Sequence, residues 1–496
     1  MWLFTTELFI LLLFLLSIAW LKQNRKKRTS MPPGPLPLPL IGNMLQVKPT
    51  ELLSSLQKLK DKYGPVFTLY FGSRPTVMIW GYEAIKEALV DNKDAFGGRG
   101  NIPTLSNITK GHGIMTTNGE RWKQMRRFTI STLRNLGMGK RSIKDRIQEE
   151  AQYLAEEFDK TKGTPFDPMF FMSCAVSNII CSVVFGSRFE FSDKLFLSLL
   201  SHINGIIRFM NSLWGLVLFS LPFLQHIPGP HQQGMHHVAA LKSFVHEKVE
   251  ESRRTLDPQS PRHFIDCFLI KMQQEQLNPV NEFHLENLVS TVVDLFFAGT
   301  ETISTTLRYG FLILLKHPEI QVKIQNEIEH VVGQQSPSIE DRTMMPYTDA
   351  VIHEILRFSD IVPTGLPHCT TTDITFRGFV IPKGTEVLPL LTSTLKDPQE
   401  FSDPAEFCPE RFLNGAGALK KNPALIPFSA GKRICPGEGL AHMVLFLYFT
   451  TLLQRFSFTT TVPREDLDLS PDYSPVGHLP RYYKMCANTR TSTLEP

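Results

Sequence analysis

The sequence predicts one large, mainly helical domain with minor sheet, carried on a single N-terminal transmembrane helix. Three observations predict it. Residues 115–360 are dominated by stretches of helical apolar periodicity, among them ERWKQMRRFTISTLRNLG, IKDRIQEEAQYLAEEFDK and HLENLVSTVVDLFFAGTETISTTLRYGFLILLKH. No internal repeat or low-complexity linker follows residue 40, so the 496 residues are read as one body rather than several domains. The opening twenty-one residues, MWLFTTELFILLLFLLSIAWL, carry one charge, Glu7, and are long enough to cross a bilayer as a helix.

Taken in order, residues 1–21 are the anchor, 22–43 a basic and proline-rich linker, and 44–496 the domain. A secretory signal would have a basic start and a shorter apolar run. Here the basic cluster LKQNRKKR follows the apolar stretch, which places the body in the cytosol and the N-terminus across the membrane. This topology leaves the acceptor triplet Asn107-Ile108-Thr109 unglycosylated. PPGPLPLPLIGN (32–43) cannot be helical and reads as a stiff, extended strut. Alternation in VFTLYFG and PTVMIWG predicts a small sheet near 66–80, and ITFRGFVIPKGTEVLPLL a second strand-rich patch. Near the C-terminus, GLAHMVLFLYFTTLLQRF is apolar nearly all round and predicts a deeply buried helix. The interrupted apolar run 198–231 has two readings, ordinary core or a lid that dips into the membrane surface.

A formal charge of +4 is too small at this length to argue for nucleic acid. Seven cysteines, an odd number with no C-x-x-C pair, argue against a disulfide framework and a structural zinc site. The 36 phenylalanines suit an internal cavity lined with aromatic and aliphatic groups.

Three familiar motifs nearly match and fail. His353-Glu354 begins a zinc helix, but Arg357 stands where the second histidine belongs; Gly431-Lys432 is followed by Arg433 rather than Ser or Thr; Gly437 and Gly439 lack a third glycine and a preceding strand. In their place PFSAGKRICPGEGLA sets Cys435 in a glycine-rich turn beside Lys432 and Arg433. Nearby cations and backbone N–H groups lower a thiol's pKa, so the turn suits a thiolate. Four further features accompany it: Glu354 and Arg357 one helical turn apart, PERF at 409–412, AGTETIS from Ala298 to Ser304, and Trp122 with Arg126. Singly, Glu354 with Arg357 reads as a surface helix pair, Glu301 or Thr302 as a side chain bonded to the preceding helical turn, and Trp122 with Arg126 as packing with a snorkelling arginine.

Together, F-x-x-G-x-R-x-C-x-G at Phe428, Gly431, Arg433, Cys435 and Gly437, with the other four in this order, resembles the haem-thiolate cytochromes P450. The likeness is strongest to animal microsomal members of the second family, and it spans the chain from anchor to C-terminus. The resemblance implies the cytochrome P450 fold and haem b with Cys435 as axial thiolate and metal ligand. Trp122, Arg126, His368, Arg433 and Arg99 would meet the haem propionates, with Phe428, Gly437 and Ala298 beside the group. Glu354, Arg357 and Arg411 would form a buried structural triad. Glu301 and Thr302 would be the catalytic acid and hydroxyl, relaying protons during dioxygen reduction. Ile102, Leu105, Ile114, Met115, Phe209, Asp294, Phe297, Ala298, Val362, Leu366 and Val476 are the implied substrate contacts, mostly apolar and so suited to a lipophilic molecule. Ile303, His442 and Val444 depart from the usual pattern.

The implied activity is insertion of one oxygen atom from O2 into a lipophilic substrate, by hydroxylation or epoxidation. Fatty acids, steroids and foreign compounds are all open as substrates. No flavin or nicotinamide motif occurs, so electrons from NADPH must come through a membrane partner, NADPH-cytochrome P450 reductase, with cytochrome b5 a further candidate. The implied location is the endoplasmic reticulum membrane, single-pass. Lys123, Arg127, Arg134, Lys421 and Lys432 are the candidate docking patch. Two rivals, a peroxide-rearranging haem-thiolate enzyme and a haem sensor or carrier, sit poorly with an intact Glu301–Thr302 pair.

Overall fold

The computed structural model describes residues 30–48, 51–102, 105–106, 109–136, 141–220, 224, 226–473 and 477–490. The anchor 1–21, the basic cluster, Asn107-Ile108 and Val476 lie outside them. Among the described residues no helix is long and apolar enough to cross a membrane.

After α1 (Leu52–Tyr63), the alternating stretches form an antiparallel hairpin, β1 (Val66–Phe71) and β2 (Arg74–Ile79), with Val66 opposite Ile79. Short α2 (Tyr82–Lys86) and β3 (Gly98–Arg99) follow. The helical body comprises α3 (Gly119–Asn135), α4 (Arg141–Asp159), α5 (Pro168–Val184), α6 (Lys194–Met210), α7 (Leu213–Ser220), α8 (His231–Arg254), α9 (Phe264–Gln274), α10 (Leu285–Lys316), α11 (Pro318–Val331) and α12 (Pro346–Ser359). Then come β4 (His368–Cys369), β5 (Ile374–Phe376), β6 (Phe379–Ile381), β7 (Glu386–Pro389), α13 (Thr392–Leu395), α14 (Glu438–Arg455) and the C-terminal strands β8 (Phe456–Thr460), β9 (Pro471–Tyr473), β10 (His478–Pro480) and β11 (Met485–Thr489).

The two strand-rich patches are joined only through β7, while β5 and β6 pair with each other in a separate ladder. The order of the shared sheet is β1-β2-β7-β4-β3, and β7 joins β2 in parallel, Val77 beside Val387. Three two-stranded ladders complete the β structure. The core gathers on α10, a 32-residue helix roughly 48 Å long packed against α5, α8, α12 and α14. As its composition predicts, α14 is buried from Leu440 to Leu453 save for the half-buried His442.

The proline segment is not a free strut. Its carbonyls bond to the edge strand β1: Thr68 N–H donates to Pro33 O and Thr68 Oγ1 to Pro32 O, each at 2.8 Å. Asn43 closes the junction from both sides, accepting from Tyr70 N–H at 2.7 Å and donating its own N–H to Tyr70 O at 2.7 Å. Prolines lack N–H groups but keep acceptors, and an edge strand has donors to spare. Residues 31–43 therefore belong to the folded body, inside the range read as linker.

In the run 198–231 the core reading holds for α6. One face of α6 (Leu199, Leu200, Ile203, Ile206) enters the core, whereas Trp214 and Ile227 beyond it are exposed.

Candidate active site

Cys435 sits two residues ahead of the Gly437 N-cap of α14. Its own N–H donates to Phe428 O at 3.0 Å, and its sulfur accepts the Gly437 N–H at 3.4 Å. Gly431 makes the turn possible: φ is +71°, and a Cβ there would lie 1.8 Å from Leu89 O. The side chain is exposed, yet the protein around the sulfur is dense enough that burial pushes the thiol pKa up. The Gly437 N–H and the Arg126 charge act in the expected downward direction but do not outweigh it. That corrects the sequence expectation of a lowered pKa: donors and cations are present, and desolvation wins.

Beside the turn lies a cationic cluster. Arg433 donates Nε to Gly97 O (3.0 Å) and Nη2 to Thr117 O (2.8 Å) and Asn118 Oδ1 (2.9 Å), with its guanidinium 3.7 Å from the Trp122 ring centre. Its remaining Nη1 is buried without a partner among the described residues. Arg99, buried, gives Nε to Met115 O and Nη1 to Pro367 O; Arg126 gives Nη2 to Ile434 O; His368 Nδ1 meets Phe96 O at 2.9 Å. Burial, then mutual repulsion, pushes Arg99 down to about 10, Arg433 to about 9 and His368 to about 3. Among the described residues no carboxylate pairs with Arg99, Arg126 or Arg433. Two buried guanidiniums and a half-buried third, with one orphaned donor, suit a bound dianion, so the residues present fit a haem and its two propionates. Sequence reasoning missed Asn118. It stands just before α3, the position of a helix cap, but its amide instead bridges Arg99 (N–H to Oδ1, 2.6 Å; Nδ2 to O, 2.9 Å) and Arg433.

The predicted triad forms completely. Arg357 holds Glu354 through two bonds of 2.7 and 2.8 Å, and Arg411 Nε joins Glu354 Oε1 at 3.1 Å. Arg357 also donates to Leu395 O, Pro404 O and Glu406 O, and Arg411 to Ser402 O. The group thereby fastens residues 395–411, which lead toward the cysteine turn, onto α12.

On α10 the residues around Ala298 interrupt a buried helix: Ala298 is exposed, and Phe297, Glu301 and Thr302 are half-buried. Thr302 Oγ1 donates to Ala298 O at 2.7 Å, the back-bond expected of a helical threonine. Glu301 accepts from Thr305 Oγ1 at 3.2 Å rather than from Thr302, and burial raises its pKa. Ile102, Met115, Val362 and Leu366 are half-buried, Leu105 and Ile114 buried. Phe209 is not brought together with them. It lines a separate cavity of about 790 Å³ between α5, α6 and α8 and packs on Gly234.

Asp294 is anchored by the loop that precedes α3. It is 3% exposed, and one oxygen, Oδ2, accepts both Ile114 N–H (2.8 Å) and Met115 N–H (2.9 Å). It clamps the loop that carries two substrate candidates, Ile114 and Met115. Burial raises its pKa to about 7.

Comparisons with known proteins agree with this geometry. The family model described as Cytochrome P450 matches residues 32–486. The chain is 53% identical over 479 residues to cytochrome P450 2G1 of Oryctolagus cuniculus, covering 96% of each chain. It is 52% identical over 481 residues to cytochrome P450 2C8 of Homo sapiens (97% and 98% covered), and 50% over 486 to Homo sapiens cytochrome P450 2A13 (97% and 98%). The chain belongs to the cytochrome P450 family and is a monooxygenase of its family 2 type.

Proposed function

We propose that this cytochrome P450 holds haem b through Cys435 and hydroxylates or epoxidises lipophilic molecules at the face of α10 around Ala298. The observation that carries the reading is the cationic cluster of Arg99, Arg126, Arg433 and His368 beside the cysteine turn, with the Arg433 Nη1 orphan. Haem bound there supplies dioxygen activation, helped by electron donation from the thiolate.

The chain's own residues have four tasks. The Gly437 N–H steadies the Cys435 sulfur. Arg99, Arg126, Arg433, His368 and Trp122 take the two carboxylates of the group. Ile102, Leu105, Ile114, Met115, Phe297, Val362 and Leu366 exclude water and orient an apolar substrate, while Asp294 keeps Ile114 and Met115 in place. Glu301 and Thr302 manage protons. The Thr302 hydroxyl donates to Ala298 O and can accept a hydrogen bond as it stands; turning about its Cβ–Oγ bond lets it donate instead. Glu301, kept protonated to higher pH by burial, is held one turn along by Thr305, so a water must carry the proton between Glu301 Oε and Thr302 Oγ1.

The apolar residues 1–21 anchor the protein in the endoplasmic reticulum membrane with the domain in the cytosol, and electrons arrive from NADPH-cytochrome P450 reductase, with cytochrome b5 as a second donor. Within the candidate docking patch Arg127, Arg134 and Lys421 are exposed, while Lys123 and Lys432 already pair with Glu120 and Asp94. The test is reconstitution of the anchored chain with reductase and a panel of fatty acids, steroids and drugs. NADPH consumption that rises with a lipophilic ligand and yields an oxygenated product supports the reading. Haem-loaded protein that consumes NADPH with no member of the panel would overturn it.

A further inference from the structure

At the end of α12 and in the segments packed on it, four buried polar atoms have no hydrogen-bond partner among the described residues: Ser359 Oγ, both carboxylate oxygens of Asp360, and Thr392 Oγ1. Buried polar groups are nearly always partnered, so four orphans on three neighbouring residues call for an explanation. Asp360 is 2% exposed and caps α12 at φ +44°, a conformation that Asp and Asn adopt more readily than other side chains.

Charged and titratable groups face it from every side. Arg357 comes from its own helix, Lys396 follows α13, Tyr309 comes from α10, and His478 from β10 places Nδ1 3.9 Å from Asp360 Oδ2. All four are engaged elsewhere as well, the His478 ring with the backbone of Asp360 and Ser359. Arg357 serves Glu354 and three carbonyls, Lys396 gives its ammonium to Phe358 O at 2.8 Å over the Phe358 ring, and Tyr309 Oη donates to Leu479 O at 3.0 Å. The Thr392 hydroxyl reaches the carboxyl closely enough to act as a weak hydrogen-bond donor that lowers its pKa, without the geometry of a full hydrogen bond.

The two residues that approach the carboxyl also pin the adjoining loop through their backbones. Thr392 N–H donates to Pro363 O at 2.8 Å and His478 N–H to Ile361 O at 3.1 Å. Gly477 lies so close that a Cβ on it would stand 2.7 Å from Ile361 O. Segment 361–366 carries Val362 and Leu366.

We propose that Asp360 is a positioning residue: the ionisation state of its carboxyl, passed through Thr392 and His478, sets where segment 361–366 stands and so which atom of a lipophilic substrate is presented. An ionised carboxyl only accepts, and draws the Thr392 hydroxyl and the His478 ring toward it. A protonated one donates and releases one of them. The window is physiological, because burial pushes Asp360 up to about 7 and Lys396 down to about 8. The inference rests on the proposed function for the claim that Val362 and Leu366 face substrate.

Asp360→Asn keeps the shape and the left-handed backbone but cannot ionise. Two readouts at pH 6 and pH 8 decide the matter: amide hydrogen-exchange protection of 361–366 and 477–478, corrected for intrinsic rates, and the product ratio from one lipophilic substrate. In the wild type, protection is expected to change about tenfold or more, the equivalent of one pKa unit of differential interaction, and the product ratio to move with it; in Asp360→Asn both stay flat. Lys396→Met, which removes the neighbouring cation, should move the step to higher pH. Flat protection in the wild type, or a step that persists in Asp360→Asn, overturns the proposal, and the wild-type result stands even if a variant fails to fold. A protection step with an unchanged product ratio overturns the link to specificity. Absence of any turnover counts against the proposed function, while exchange still decides the loop.

Discussion

Arg357 and Asp360 stand three residues apart at the end of α12, yet their surroundings differ sharply. Around Arg357 the accounts close: Glu354 is held by two guanidiniums and the Cys408 N–H, and the remaining guanidinium donors reach carbonyls of residues 395–406. Around Asp360 both oxygens and two nearby hydroxyls lack partners among the described residues. The difference separates two uses of buried charge. A fully satisfied cluster is rigid and holds the segment leading to Cys435, on the haem-binding side. An unsatisfied one stays responsive, and it lies beside the loop that carries the substrate candidates. The same scale, from closed to open, orders what substitutions should do.

The closed end gives the largest effect. Arg357→Ala leaves Glu354 buried without its bidentate partner, and breaking a buried pair from one side costs about 3–5 kcal/mol. Urea unfolding should show that loss, and haem-loaded protein should be scarce on expression. A variant unfolding at wild-type urea would place the triad outside the stabilising core.

Asp294 is intermediate, a buried acid held by two N–H groups on one oxygen. Its folded pKa, about 7, is raised above the unfolded value. Its contribution to stability is therefore fully present below about pH 4 and lost as pH rises through 7. Asp294→Asn keeps the accepting oxygen and removes the titration. The variant should gain on wild type by up to about 1.4 kcal/mol per pH unit between pH 4 and 7, read from paired denaturation curves. A constant gap across that range contradicts the clamp as drawn.

Thr302, half-buried and bonded within its own helix, should matter little to stability. Thr302→Ala is expected within about 0.5 kcal/mol of wild type, with haem and ligand binding kept. Product per NADPH should fall while hydrogen peroxide rises, the lower end of the roughly 10²–10⁴-fold range for proton-transfer groups being apt where water can substitute. Unchanged coupling with every substrate would make Thr302 a helix residue only.

Exposed charge should give the smallest effects. Reversing Arg127, Arg134 or Lys421 singly should weaken reductase coupling slightly, on the order of 0.2–1 kcal/mol each, and the three together should do so in a salt-dependent way. Turnover indifferent both to ionic strength and to the triple reversal would remove the patch.

What could be read from the sequence follows from how local the chemistry is. The cysteine turn was legible because its glycines, Arg433 and Cys435 lie within ten residues, and Glu354–Arg357 because three residues make one helical turn. Asn118 was not legible: its partners lie at Arg99 and Arg433, and nothing near residue 118 marks them. The clamp role of Asp294 was not legible, because its partners are the backbone amides of Ile114 and Met115, which have no sequence signature. Docking of Pro32 and Pro33 on β1 was hidden for the same reason. The junction of β7 with β2 is not legible because this parallel seam joins residues 76–79 to 386–389 across some three hundred residues, a pairing that alternation alone does not specify.

The central claim is that Cys435 binds the haem iron as a thiolate. Cys435→His should be prepared as haem-loaded protein, reduced and exposed to carbon monoxide. The Soret band of the complex should lose the strong red shift that thiolate ligation gives, while the wild type keeps it. An unchanged red-shifted band in Cys435→His would contradict the assignment and, with it, the reading of the glycine-rich turn.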